Sequence, residues 1–175
     1  QVHKQTGLQI MEGFGQTESV LMLGNLVGST AKIGSLGKPT PLYNIMIADN
    51  EGNRLPANEV GEIVVIPSEN QHGIFMGYCG NEDLYANVWK YGIYHTGDTA
   101  YMDDDGYYWY VGRIDDLIKT RGYRVGPFEI ENVLMEHPAV MECAVTGIPD
   151  KARGQAIKAT IHLAKGFDKS KELMQ

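Results

Sequence analysis

Thr99-Ala100-Tyr101-Met102, Asp103-Asp104-Asp105-Gly106, Tyr107-Tyr108-Trp109-Tyr110-Val111: this stretch decides how the larger part of the chain folds. Asp-Gly supplies the positive backbone angle that a tight turn needs. The aromatic run after it favours a pleated, half-buried surface. Together they predict a β-hairpin. Toward the N-terminus, Val60 to Ile66 reads as a strand bounded by Pro67. Asn44 to Ala48 reads as another, entering the turn Asp49-Asn50-Glu51-Gly52-Asn53. Short strands at this spacing, from Tyr43 to Val111, predict a small barrel or sandwich. Further back, Gly13 to Ser19, Leu21-Met22-Leu23 and Gly34 to Pro39 are short apolar runs broken by Gly and polar clusters, the pattern of loops and brief strands.

After Arg113 the texture changes. Pro127 is placed to open a helix that runs to His137, with Ile130, Val133, Leu134 and His137 on one face, and Pro138 stops it. Ala139 to Thr146 and Ala156 to Leu163 then read as strands, and Lys169 to Met174 as the start of another helix. The fold class is therefore α+β. A β-barrel-like end of a large N-terminal domain occupies 1–114, and the start of a small α+β C-terminal domain occupies 115–175, with the boundary near Asp115-Asp116. A helix cut after about one turn is too short to stand alone, so the chain is expected to be part of a longer one.

Composition narrows the function. The formal net charge of −7, with no basic run, argues against nucleic acid and against an anionic membrane surface. No apolar run is long enough to span a bilayer, and Gln1 to Thr6 lack the apolar core of a signal peptide. Small-molecule partners and a cytoplasmic location are the expectation; oligomeric state is not legible. Cys79 and Cys143 belong to no C-x-x-C and have no His at ligand spacing. They are expected to be buried free thiols in a reducing compartment, which excludes a disulfide framework and a structural zinc.

Three segments carry oxygen and cation chemistry. Gly15-Gln16-Thr17-Glu18 sets a hydroxyl and a carboxylate in a Gly-rich loop, which suits Mg²⁺ with a phosphate but equally a capped turn. Thr96-Gly97-Asp98 suits an acceptor for two vicinal ribose hydroxyls, or a turn closed by its own Asp. Gly112 to Lys119, followed by Arg121-Gly122-Tyr123-Arg124-Val125-Gly126, suits phosphate contacts, a hinge, or a solvated linker.

Their order narrows these choices. Gly15-Gln16-Thr17-Glu18-Ser19, Gly61-Glu62-Ile63, Tyr94-His95-Thr96-Gly97-Asp98, Gly112-Arg113-Ile114-Asp115-Asp116 and Gly122 to Glu131 resemble consecutive signature motifs of the adenylate-forming (AMP-binding) superfamily. That superfamily holds acyl-CoA synthetases, luciferases and nonribosomal-peptide adenylation domains. Arg121 to Glu131 and Glu136-His137-Pro138-Ala139-Val140 look most like the acetyl- and medium-chain acyl-CoA synthetase branch.

The resemblance implies an AMP-forming acid–thiol ligase of fatty acid metabolism. ATP would adenylate a short- to medium-chain carboxylic acid, and CoA would then take the acyl group as a thioester. Thr17 would contact the α-phosphate and Glu18 would ligate Mg²⁺. Glu12, Gly13, Phe14, Gly15 and Gln16 would flank the nucleotide. Asp98 would accept the ribose hydroxyls, with Arg113 and Arg124 assisting ribose and phosphates. Asp115 would be the hinge between two conformations. Arg121, Gly122, Tyr123 and Arg153 would meet CoA. The demands of adenylation, charge neutralisation and positioning rather than a general base, agree with that set.

Two motifs of the superfamily are missing: a Gly/Ser/Thr-rich phosphate loop ending in Lys, and a late Gly-Lys catalytic lysine. Lys165, Lys169 and Lys171 come too early and lack the Gly-Lys context. The resemblance thus implies a C-terminal-half fragment with little or no adenylating activity alone. An adenylation domain that loads a carrier protein, and a non-catalytic nucleotide-binding module, are the alternatives. Arg153 and Arg121 to Tyr123 favour free CoA over a carrier.

Overall fold

The computed structural model describes residues 2–69, 72–170 and 173. In chain order they form helix α1 (Val2–Thr6), two-residue strands β1 (Gly13–Phe14), β2 (Leu23–Gly24) and β3 (Lys38–Pro39), then β4 (Asn44–Ala48), β5 (Gly61–Ile66), α2 (Glu82–Val88), β6 (Tyr94–Met102) and β7 (Tyr108–Arg113). β8 (Ile118–Thr120), β9 (Tyr123–Val125), α3 (Pro127–Met135), β10 (Val140–Asp150) and β11 (Gly154–Leu163) follow. Contacts divide the chain into two units, Gln1–Tyr110 and Val111–Gln175.

In the first unit, β4, β5, β6 and β7 lie in that order in one antiparallel-paired sheet. β4 and β5 are apolar at consecutive positions because both faces are covered, so period-2 alternation separates two cores rather than core from solvent. Ile45, Ile47, Ile63 and Val65 join Met22, Leu23, Tyr94 and Tyr108 on one face. Met46, Ala48 and Val64 meet Ile93 on the other. Among the described residues the sheet does not close on itself. The free side of β7 does not reach β4. Tyr108 instead exchanges backbone bonds with the segment before β3, its N–H to Gly37 O at 2.9 Å and its carbonyl to Leu36 N at 2.8 Å.

The hairpin around Asp103 to Gly106 forms as the sequence predicts, and its turn is held by side chains. Asp103 Oδ1 accepts the Asp105 and Tyr107 amides at 3.0 and 2.9 Å, and Oδ2 accepts Trp109 Nε1 at 3.0 Å and Lys32 Nζ at 2.7 Å. Lys32 also reaches Asp105 at 2.6 Å and lies 4.8 Å from the Tyr107 ring centre. Burial pushes the Asp103 carboxyl up, but the Lys32 ammonium, the Tyr107 amide and the Trp109 indole together hold it well below the usual range. Bonds to Asp103 and Asp105 raise Lys32 above the usual lysine range.

A group with a depressed native value stabilises above its unfolded value, about pH 4 for Asp, and loses this as pH falls through the native value. The stability gap between the parent chain and Asp103→Asn is therefore expected to be constant near neutrality and to close below about pH 4. Urea titrations of both proteins from pH 7 to pH 2 check it, and a gap unchanged at pH 2 refutes it.

The mostly β reading of 43–111 misses α2. Asn81 Oδ1 accepts the Leu84 amide at 3.0 Å, an N-cap, and Glu82 and Asp83 occupy the first turn. Strand β6 begins at Tyr94, so Thr96-Gly97-Asp98 lies inside a strand rather than in a turn between strands. Cys79 is exposed and Cys143 half-buried, both free, which corrects the expectation that both are buried. Burial, with Glu131 nearby, pushes the Cys143 thiol up.

The second unit holds a four-stranded antiparallel sheet in the order β10, β11, β8, β9. Arg121 and Gly122, with φ of 50° and 85°, form the two-residue turn between β8 and β9. Two positive angles match the twist of paired strands, and Gly accepts one of them without strain. Pro127 stands at the start of α3. The helix ends at Met135 rather than His137, because Glu136 and His137 donate to the carbonyls three residues back, at 3.2 and 3.1 Å, ahead of Pro138. On the expected apolar face, Ile130 and Leu134 are half-buried while Val133 and His137 are exposed. The strands run longer than predicted, β10 to Asp150 and β11 from Gly154. Of the expected last helix, residues 171, 172 and 174 lie outside the described residues, and Lys169 and Ser170 are not helical.

Candidate functional site

Asp98 is 5% exposed, and the groups that hold it come from distant parts of the first unit. Gln16, beyond β1, donates Nε2 to Asp98 Oδ2 at 2.6 Å and to the Thr96 carbonyl at 2.9 Å. Gln16 Oε1 accepts the Tyr94 hydroxyl at 3.0 Å, and the Tyr110 hydroxyl donates to Asp98 Oδ1 at 2.9 Å. The amide of Gln16 is thereby oriented from three sides. The result is a buried carboxylate whose two oxygens each carry a neutral donor. An ionised carboxylate only accepts hydrogen bonds, which is the chemistry that hydroxyl donors need.

Thr17 and Glu18 form the turn that follows Gln16, closed by Ser19 N to Gln16 O at 3.1 Å and by Ser19 Oγ accepting the Gln16 amide at 3.1 Å. Thr17 is exposed. Glu18 is half-buried, and its Oε1 accepts the Tyr78 hydroxyl at 2.7 Å. No group of three or more His, Cys, Asp or Glu that could cage a metal occurs among the described residues. A lone half-buried carboxylate fits Mg²⁺ that arrives on a nucleotide and keeps phosphate and water oxygens as its other ligands.

Phe14, in β1, has its ring centre 6.5 Å from that of Tyr110, and Gly13 and Gly15 flank it in the chain. Glu12 is drawn elsewhere: its Oε2 accepts Gly34 N and its carbonyl accepts Asn25 N, both at 2.9 Å. The structure thus brings Gln16 to Asp98, sets Thr17 and Glu18 in the turn that follows Gln16, and leaves Glu12 tied to the loop ahead of β3.

The remaining candidates lie in the second unit. Arg113 Nη2 is 3.5 Å from Asp115 Oδ1 in an exposed turn. The Arg121 amide donates to the Arg153 carbonyl at 2.9 Å, so the tip of the β8–β9 turn and the β10–β11 turn meet at one end of the sheet. Asp150 Oδ1 shapes the second turn by accepting the Ala152 and Arg153 amides, each at 2.9 Å. Arg121, Gly122, Tyr123 and Arg153 are brought together there, all exposed, Tyr123 at 74%. Arg124 is exposed one step along β9, opposite Lys119.

Sequence reading passed over Tyr78, Tyr94 and Tyr110, the hydroxyls that orient Glu18, Gln16 and Asp98. Strand alternation could have found Tyr94, which shares a parity with Thr96 and Asp98. Nothing local points to the other two.

Residues 1–79 match the family described as AMP-binding enzyme, and residues 129–175 match the AMP-binding enzyme C-terminal domain. Acyl-coenzyme A synthetase ACSM3 of Rattus norvegicus, named as mitochondrial, is 47% identical over 91% of this chain and 28% of its own length. 4-Hydroxybutyrate–CoA ligase 1 of Metallosphaera sedula is 48% identical over 96% of this chain and 30% of its own length. Among solved structures, the anthranilate CoA ligase AuaEII in complex with anthranoyl-AMP matches with a TM-score of 0.85 and 36% identity, over 99% of this chain and 33% of that one. The chain thus spans about three tenths of the length of the curated relatives it matches.

Proposed function

This chain belongs to the AMP-binding enzyme family, and from that premise we propose that the protein it represents activates a carboxylic acid with ATP and passes the acyl group to CoA. The observation that carries the reading is the Gln16–Asp98 bond, which joins the Gly15 to Glu18 turn to Thr96-Gly97-Asp98 across the fold and fixes the buried carboxylate proposed to meet the ribose. The relatives' names, acyl-coenzyme A synthetase and 4-hydroxybutyrate–CoA ligase, support thioester formation as the second step.

In the first step a carboxylate oxygen attacks the α-phosphorus and pyrophosphate leaves. In the second, the CoA thiol loses its proton, its sulfur attacks the carbonyl carbon, and AMP leaves. Asp98 orients the nucleotide through the ribose, and Thr17, in an exposed turn, offers a hydroxyl to the α-phosphate. Glu18, held by Tyr78, is the residue to hold Mg²⁺, which when bound neutralises phosphate charge. Arg121, Tyr123 and Arg153 present two cations and a ring at one end of the second unit's sheet, a surface suited to the phosphates and adenine of CoA. Asp115, in an exposed turn beside Arg113, serves as the hinge, and Arg113 and Arg124 serve the nucleotide.

Short- to medium-chain acids are the proposed substrates, which places the protein in fatty acid metabolism. Among the described residues no helix is long and apolar enough to cross a membrane. A cytoplasmic location rests on the sequence reading alone, and the relative named as mitochondrial carries the alternative.

Carboxylate-dependent ATP–pyrophosphate exchange by the whole gene product, followed by thioester formation on addition of CoA, tests the reading. A panel from acetate to decanoate, with an aryl acid, is expected to give exchange and acyl-CoA for at least one member. Exchange without acyl-CoA, together with acylation of a carrier protein, would replace CoA by a carrier. No exchange with any acid would refute activation.

A further inference from the structure

We infer that Glu62 and His95 are positioning residues for ribose recognition, locking the strand bulge that presents Asp98. The inference rests on the proposed role of Asp98 and extends it to two residues outside the nucleotide contacts.

The pairing of β5 with β6 is irregular at one place. Glu62 pairs with Thr99 and Val64 with His95, so Thr96, Gly97 and Asp98 lie opposite Ile63 alone. A bulge leaves backbone groups without ladder partners, and buried ones must be satisfied otherwise. Side chains do so here. The Thr96 hydroxyl donates to the Ile63 carbonyl at 2.7 Å and accepts the Asp98 amide at 3.1 Å. Glu62 Oε1 accepts the Gly97 amide at 2.8 Å. The other carboxylate oxygen, Oε2, lies 2.7 Å from His95 Nδ1, with both side chains 13% exposed. The His95 ring in turn meets Tyr91 edge-on at 6.3 Å.

Glu62 is therefore a two-sided clamp, one oxygen on the apex of the bulge and the other on the residue that enters it. The bulge turns Asp98 toward Gln16 and Tyr110, so its shape sets where the carboxylate oxygens stand. A regular ladder would need no carboxylate here. A purely structural role would lower stability and weaken all nucleotides alike. A positioning role weakens the ribose-dependent part selectively.

The test is calorimetric binding of ATP and 2′-deoxyATP to the whole gene product and its Glu62→Ala, Glu62→Gln and His95→Phe variants. The parent is expected to prefer ATP. Glu62→Ala is expected to shrink that preference by about tenfold, the worth of one charge-assisted hydrogen bond. His95→Phe, which keeps an aromatic ring beside Tyr91 and loses both ring nitrogens, is expected to shrink it partially. Glu62→Gln, which keeps an oxygen for Gly97 but sets an N–H₂ against the His95 Nδ1–H that donates to the carboxylate, is likewise expected to shrink it partially. If Glu62→Ala does not fold, the last two variants decide.

Folded variants that keep the parent's ATP to 2′-deoxyATP ratio overturn the inference and leave the role of Asp98 standing. A parent that binds the two nucleotides equally overturns both.

Discussion

Asp98→Ala, made in the whole gene product, is expected to weaken ATP binding by at least about 100-fold, from loss of two hydrogen bonds to a charged acceptor at about 1.5–3 kcal/mol each. The geometry makes the loss hard to repair. Gln16 Nε2 and the Tyr110 hydroxyl both point at the vacated position, so the variant buries donors that have lost their acceptor. Asp98→Asn is the sharper variant. It keeps the volume but offers one oxygen to two donors: turned to Tyr110 it sets an amide N–H₂ against Gln16 Nε2, and turned to Gln16 it makes the Tyr110 hydroxyl change from donor to acceptor. Gln16 cannot answer by flipping, because that would turn its oxygen onto the Thr96 carbonyl and its nitrogen onto the Tyr94 hydroxyl, which donates there now. Both variants are therefore expected to lose ATP affinity together, Asp98→Asn with the smaller effect on the melting temperature. Calorimetry with ATP, beside a thermal melt, measures both. Affinity within threefold of the parent in a folded Asp98→Asn would remove Asp98 from the nucleotide site.

What the sequence tells about this region depends on how local the cause is. The Asp103 to Gly106 turn, the start of α3 at Pro127 and the strands β4 and β5 are legible because a few adjacent residues impose them. The bulge at Thr96 to Asp98 is not, since a Thr-Gly-Asp tripeptide reads as a turn until Ile63 is known to face it. The Gln16–Asp98 bond spans 82 positions, and no periodicity reaches that far. Helix α2 was legible in principle from Asn81-Glu82-Asp83, but the aromatics around it drew a β reading. In α3, periodicity named a face of which Ile130 and Leu134 are half-buried while Val133, at 67% exposed, and His137 are not, because spacing does not say what covers a face. Cys79 shows the same limit: residue type predicts burial only on average. The family came from a different kind of evidence, the order of five motifs, and the matches at 1–79 and 129–175 agree with it. The roles assigned to single residues stand on geometry where Gln16 meets Asp98, and on the resemblance alone at Glu12, Arg113 and Arg124.

Gly37→Ala is expected to cost the 175-residue chain more than about 4 kcal/mol, the range reserved for a specific structural failure. Gly37 has φ of +86°, which costs an L-residue about 1–2 kcal/mol by itself. Crowding costs more than the backbone angle. A Cβ at this position would stand 2.1 Å from Gly24 C, 2.2 Å from Gly24 O and 2.4 Å from Asn25 N, all backbone atoms. These atoms cannot rotate away as a side chain would. Gly24 pairs with Lys38 across β2 and β3, and Gly37 is bonded to Tyr108 on the edge of β7. Relief therefore means parting β2 from β3 or tearing both from the sheet beside a fully buried Leu23 and a 2% exposed Tyr108. Gly28→Ala separates angle from crowding, because Gly28 has the same φ of +86° and nothing within 4 Å of an added Cβ. It is expected to cost only the backbone preference, about 1–2 kcal/mol. Urea unfolding of the two variants gives the difference directly. A Gly37→Ala chain as stable as Gly28→Ala would mean that β2 and β7 do not close on Gly37, and the sheet edge would have to be redrawn.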